Sequence, residues 1–405
     1  MTASRLTPAN SRAERSLEIV VLASYPNTVA ATRYRIAQYV PFLAKSGLRV
    51  SLFPFLDAKQ FQHLYDRRRW MRNVVSIAVG LLRRLLLLPR LAAADVVFVH
   101  REAMLLGPPI FEWLAHRIFR RPLALDLDDA TFVEQASLTY GGLATRLKWR
   151  GKTDRLIEYA DVVICGSELI AAHARQRGKT AVIVLPTIVD TELFHPPQVR
   201  VSRDVPLVGW IGSHSSYPYF EAIIPILERL ARTHRFRVRI VGSGREVVTI
   251  RGVEVENVRW APEREAEDFR LLDIGVYPLP ANDAFVAGKS GLKAVEYLAT
   301  GIPYVADPIG IAAALGEAGR THLLVTSEAQ WFEALSLLLR DPLKRKLMGE
   351  AGREYALKHF RLPEFASRIA AALHACSRRD SMWTGQKKEG GPPQSSIDEV
   401  RRFRD

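Results

Sequence analysis

The chain has 405 residues, 48% of them apolar, and its 57 lysines and arginines outnumber 43 aspartates and glutamates to give a net charge of +14. That length and apolar content exclude a disordered chain and exceed what one core organises, so two domains are expected. The two cysteines, Cys165 and Cys376, are too few and too far apart for a metal site or a disulfide framework, which points to a reducing, cytoplasmic setting.

Residues 1–16 are polar and charged, lack the apolar stretch of a signal peptide, and read as a disordered tail. Short apolar runs then alternate with helical patterns: LEIVVLA from Leu17, YRIAQYVPFLAKSG from Tyr34, LRVSLFPF from Leu48, then DVVFVH, PLALDLD, DVVICG and AVIVLP. Continuous rather than alternating apolar strands, separated by helices, indicate a parallel sheet covered on both faces. This first domain is expected over 17–198. After the proline-rich FHPPQVRVSRDVP the layout restarts with LVGWIGS, a helix through EAIIPILERLART, RVRIVGSG, VRWAP, DIGVYPLP and IPYVAD, a second α/β domain over 199–360. A helix over 361–376 and a Gly/Pro-rich tail over 377–405 close the chain.

Much of the positive charge is local. Residues 66–90, DRRRWMRNVVSIAVGLLRRLLLLPR, alternate arginine clusters with apolar turns. That pattern fits a helix lying on an anionic membrane, and equally a domain helix with an apolar core face and a basic outer face. No uncharged run reaches the eighteen or so residues of a membrane span, so a cytoplasmic protein, peripheral at most to the inner face of a membrane, is expected. Nucleic acid is not an expected partner: the basic residues flank leucines rather than stacking aromatics.

The window AGKSGLKAVEYLATGIPYVADPIG, residues 287–310, carries the densest chemistry. Ser290 as cap, Gly301 as the left-handed residue past the end and Pro303 as a stop define a helix of about ten residues, 291–300. Lys293 and Glu296 share one stripe of it, with Lys289 just ahead. Gly288 and Gly291 leave the backbone open near the N-terminus, where N–H groups favour an anion such as phosphate. Taken alone, the window reads equally as a solvated Lys-x-x-Glu pair. Its place after a strand of the second domain turns its N-terminus to an interdomain cleft and favours phosphate.

These segments resemble the retaining nucleotide-sugar glycosyltransferases of the GT-B fold, group 1 or family 4, most strongly over about 205–360. The resemblance rests on DIGVYPLP, GKSGLKAVEYLATGIPYVADPIG, VGWIGS, RIVGSG and LPTIVDTELFHP together. It implies an α/β chain of two Rossmann-like, doubly wound domains facing each other across a cleft, the first binding an acceptor and the second a nucleotide sugar. It implies transfer from a nucleoside-diphosphate sugar to a saccharide or lipid-linked acceptor, in polysaccharide or glycolipid assembly, with the sugar as substrate and no cofactor or metal. Gly212, Ser213, Lys289, Ser290, Gly291, Lys293 and Glu296 are then the donor-binding set, Glu296 matching the ribose-binding second glutamate of the family's Glu-x7-Glu pair. The first glutamate is replaced by Gly288, and GSHSSYPYFEA lacks the Arg and Lys that commonly hold the diphosphate. Lys289 and Lys293 are expected to supply that charge instead. Both departures keep two other readings open, a nucleotide-sugar epimerase and a catalytically degenerate GT-B binding protein.

In the first domain the strand PLALDLD ends in Asp126, Asp128 and Asp129. Three carboxylates in four positions read as a site rather than a surface turn, although Asp-x-Asp is also the metal motif of the other glycosyltransferase fold. By layout Asp128 stands where the family often has a histidine, so Asp128 and Asp129 are the catalytic candidates, contacting the donor sugar or acceptor hydroxyl, with a purely structural role as the alternative. Arg33 and Arg35, after the first strand, read as ligands for an acidic acceptor or as solvated arginines of a helix start. His100, at another strand end, reads as structural.

Overall fold

The computed structural model describes residues 16–133, 148–179, 181–198 and 204–379. The expected tails lie outside these residues except for Ser16 and residues 377–379. Two six-stranded sheets form. The first contains β1 (Leu17–Ala23), β2 (Leu48–Pro54), β3 (Val96–His100), β4 (Leu123–Leu127), β5 (Val162–Cys165) and β6 (Val182–Val184), in the order β2-β1-β3-β4-β5-β6. The second contains β7 (Leu207–Ile211), β8 (Arg237–Val241), β9 (Glu254–Val258), β10 (Ile274–Tyr277), β11 (Tyr304–Ala306) and β12 (Leu323–Leu324), in the order β12-β11-β10-β7-β8-β9. Every strand pair is parallel.

The apolar runs are strands because helices cover both faces: β3, β4, β5 and β7 are buried along their whole length. The strand expected at VRWAP lies instead in the preceding EVENV, Glu254–Val258. That edge strand has one side in solvent, so it carries charges in place of an apolar run. Both cysteines are buried free thiols.

Chain order and sheet order diverge between β1 and β3 and again between β7 and β10, and open α/β sheets bind ligands outside the strand C-termini at such points. The two edges face each other. Apolar packing continues across the join, where Phe194 meets Tyr34 on one side and Phe269 on the other. The last helix, Leu362–Arg378, returns to the first domain and packs on the Val40–Lys45 helix and on β3 and β4.

Candidate active site

Between the strand edges lies a cleft of about 970 Å3. Its first-domain wall includes Val29, Arg101, Asp128 and Asp129, and its second-domain wall includes Gly212, Ser213, Arg245, Glu265 and the run Lys289–Lys293. Of the eleven candidates read from the sequence, Asp128, Asp129, Gly212, Ser213, Lys289, Ser290, Gly291 and Lys293 therefore share one cavity, whereas Arg33, Arg35 and Glu296 do not line it.

The helix of the 287–310 window runs Leu292–Ala299, and Gly291, at φ +74°, is its cap residue. Ser290 does not cap it, contrary to expectation: its hydroxyl accepts a hydrogen bond from Thr187 Oγ1 of the first domain at 2.7 Å. Among the described residues no side chain caps this helix, and its first turn, Leu292 and Lys293, lines the cleft, so the positive end of its dipole is presented there. Lys289 adds a charge. Its ammonium makes no ion pair or hydrogen bond among the described residues and lies over the rings of Tyr219, at 5.6 Å, and Phe285, at 5.9 Å. Burial lowers its pKa, and nearby Asp129 and Asp283 oppose the shift. Arg245, in the VGSGR turn after β8, is a further cation in the wall that the sequence reading missed. An arginine directly after two turn glycines at a strand end was the available signal.

Glu296 is fully buried, with no exposed oxygen to offer a ribose. Its Oε2 lies 2.8 Å from Lys293 Nζ, at angles that form no hydrogen bond. Burial pushes its carboxyl up to about 8, Lys293 opposing and Glu265 adding to the rise. A glutamate that does line the cleft is Glu265, which accepts from Tyr34 Oη at 2.8 Å, Trp260 Nε1 at 3.2 Å, Lys293 Nζ at 3.3 Å and the Arg33 guanidinium. Burial would raise its pKa, but Lys293 and then Arg33 outweigh it and hold the group ionised. Arg33 is thus an interdomain tie rather than a free acceptor ligand.

Arg35 is likewise corrected. It is buried, and its guanidinium pairs with Asp126, whose other oxygen lies 2.8 Å from His100 Nδ1. Asp128 instead receives both Nε and Nη2 of Arg101, at 2.6 and 2.7 Å, and Nη2 also reaches Asp129 at 2.5 Å. The two carboxylates of Asp-x-Asp therefore answer to different cations. Burial opposes ionisation of Asp128, but Arg101 overrides it and holds the carboxyl well below the usual range; Asp129 is raised by burial, with Arg101 opposing. Arg101 sits at φ +62°, an uncommon conformation for an arginine.

The structure also accounts for Gly288. A Cβ there would lie 2.3 Å from the Cβ of Ala130, the residue after Asp129. The first-domain turn fills the place where a glutamate side chain would start.

Residues 205–341 match the family model "Glycosyl transferases group 1". No curated protein sequence matches the chain. Among solved structures, the sucrose-phosphate synthase of Thermosynechococcus elongatus superposes with a TM-score of 0.62 at 15% identity, covering 88% of this chain and 98% of that one. Anabaena HepE in complex with UDP-glucose gives 0.61 at 15% identity, covering 89% and 100%. The α,α-trehalose 6-phosphate synthase of Burkholderia multivorans gives 0.57 at 13% identity, covering 93% and 100%. The two facing Rossmann-like domains are those of the GT-B fold.

Proposed function

We propose that the protein is a glycosyltransferase that moves a sugar from a nucleoside-diphosphate sugar to an acceptor hydroxyl. The observation that carries the reading is Lys289, a cation unpaired among the described residues, beside an uncapped helix N-terminus in the wall of an interdomain cleft. The matched domain over 205–341 and the similarity to HepE, whose structure is a complex with UDP-glucose, support it.

Glycosyl transfer passes through an oxocarbenium-like state while negative charge grows on the departing phosphate. Cations and backbone N–H groups already aimed at that point stabilise the charge without reorganising. In this reading Lys289, the first turn of the Leu292–Ala299 helix and Arg245 hold the diphosphate, and Gly212 and Ser213 close around the donor. Asp129 is raised toward its neutral form, which suits a group that meets a sugar or acceptor hydroxyl; Arg101, bound to both carboxylates, orients it. Since Gly288 abuts Ala130, the Asp128–Asp129 turn brings a carboxylate close to where the family's first glutamate would begin. Retention of configuration, independence of metal, and a saccharide or lipid-linked acceptor of polysaccharide or glycolipid assembly belong to the same proposal and rest on the resemblance.

The test is incubation of the purified protein with UDP-, GDP- and dTDP-sugars and saccharide acceptors, with and without EDTA, following nucleotide release and the anomeric configuration of the product by NMR. Acceptor-dependent release with an axial-to-axial or equatorial-to-equatorial outcome is expected, unchanged by EDTA and lost in Asp129→Asn. An epimerised donor formed without acceptor would overturn transfer in favour of the epimerase, and nucleotide binding without any turnover would assign a binding protein.

A further inference from the structure

The helix Trp70–Leu86 is built inside out. The side it turns to the first domain carries Asn73, Gly80 and Arg84, all buried. Arg84 is held by three backbone carbonyls, those of Ala103 at 2.8 Å and of Phe53 and Ala23 at 2.9 Å each, and burial brings its pKa down to about 10. Asn73 donates to the carbonyls of His63 and Leu64. At Gly80 a Cβ would lie 2.7 Å from the ring of Phe55, so the helix rests directly on that ring.

The face turned to solvent is the apolar one. Trp70, Met71, Val74, Leu82, Leu85 and Leu86 are all exposed, Met71 by 65% and Leu86 by 72%. At about 100° per residue they occupy one sector roughly 160° wide, and Arg72 and Arg83 border it. Arg68 is exposed just ahead of it, while Arg69 and Arg83 share their charge with Asp66 and Asp57. A helix of a soluble domain puts its apolar stripe inward, and a continuous exposed apolar patch marks an interaction surface. Of the two readings from the sequence, the domain helix placed its apolar face in the core and its arginines outward, whereas the helix buries Arg84 and turns its leucine row to solvent. No described helix is long and apolar enough to cross a membrane.

We propose that this face docks on an anionic membrane, the helix lying in the surface plane with its apolar row in the acyl boundary and its arginines on lipid phosphates. The charge argues for lipid over a second copy: two such faces would bring like-charged arginine borders together, on a chain already at +14. Tyr65, five residues before Trp70, lines the cleft and packs its ring at a tilt against His214 of the second domain, so docking brings the cleft mouth beside the lipid. The surface stands whatever chemistry the cleft performs.

The test is co-sedimentation of the full chain with phosphatidylcholine vesicles and with vesicles also containing phosphatidylglycerol, at low and high salt. Binding to the anionic vesicles alone, weakened by salt, is expected. The exposed double substitution Val74→Glu with Leu85→Glu should weaken it at least about tenfold, and Arg68→Glu with Arg72→Glu should weaken it and flatten its salt dependence. Unchanged thermal midpoints of both variants verify folding. Absence of binding to anionic vesicles overturns the proposal, as does equal binding by the Val74/Leu85 variant. A concentration-dependent dimer in gel filtration that this variant abolishes would assign the face to a second copy instead.

Discussion

Lys289 is the residue on which the donor site turns, and its lowered pKa has a measurable sign. A bound diphosphate favours the charged amine, so affinity should fall as pH rises, beginning below the range of an ordinary lysine. Lys289→Arg, always protonated, should remove that dependence in a titration of nucleoside diphosphate against pH. Glu296 carries the opposite lesson. Its carboxyl is raised from 4.5 to about 8, so across that window the folded chain holds a proton the unfolded chain has released. Its contribution is full below the lower value and is lost as pH rises. Thermal unfolding should show a stability that declines from pH 5 to 8, and Glu296→Gln should flatten the decline. Arg101 compensates two buried carboxylates, and Arg101→Leu should cost roughly 3–5 kcal/mol in urea unfolding, because it strands Asp128 and Asp129. Little of this pairing was legible. Lys289 could be read from its place ahead of a glycine-bordered helix start and the Asp128–Asp129 turn from charges clustered at a strand end; that Arg35 serves Asp126 and Arg101 serves Asp128 depends on partners 91 and 27 residues away.

At the scale of elements, the Leu292–Ala299 helix was readable at its C-terminus and misread at its N-terminus. Gly301 does adopt positive φ, +64°, just past the end, a local necessity that any window shows. Ser290 looked like a cap by the same local rule, but its hydroxyl is taken by Thr187, 103 residues away in the other domain. The chain turns through Gly291 instead. Its neighbour Gly288 is a packing requirement: Gly288→Ala should destabilise by about 1–3 kcal/mol, since the added methyl meets Ala130 rather than a yielding side-chain tip. Denaturant unfolding of that variant checks the value, and an unchanged midpoint would mean that the two domains separate to admit the methyl. The helix Trp70–Leu86 shows the limit of periodicity from the other direction. Its apolar sector was plain in the sequence, but which side faces the protein was decided by carbonyls of β1, of β2 and of Ala103, which no window contains.

At the scale of the molecule, the parallel sheets and their two-fold recurrence followed from the continuous apolar runs. The way the domains meet did not. They are tied along one wall by Arg33 and Tyr34 to Glu265, Ser167 to Gly288, Thr187 to Ser290 and the Tyr65–His214 ring contact, with the cleft left between them. Closing domains around substrate is a common device for excluding water, and here the ties that close the cleft include residues that line it. Glu265 is held ionised by its partners, so its stabilisation is present at neutral pH and lost as pH falls through its lowered pKa. Arg33→Ala should open the molecule, seen as a larger radius of gyration in X-ray scattering.

The central claim is that the cleft holds a nucleoside diphosphate on Lys289, and a thermal-shift panel of UDP, GDP, ADP, dTDP and CMP, without added metal, tests it most directly on wild type and Lys289→Ala. Stabilisation of the wild type by one diphosphate, abolished in Lys289→Ala, is the predicted result. No shift with any nucleotide, or a shift that Lys289→Ala leaves intact, would contradict it.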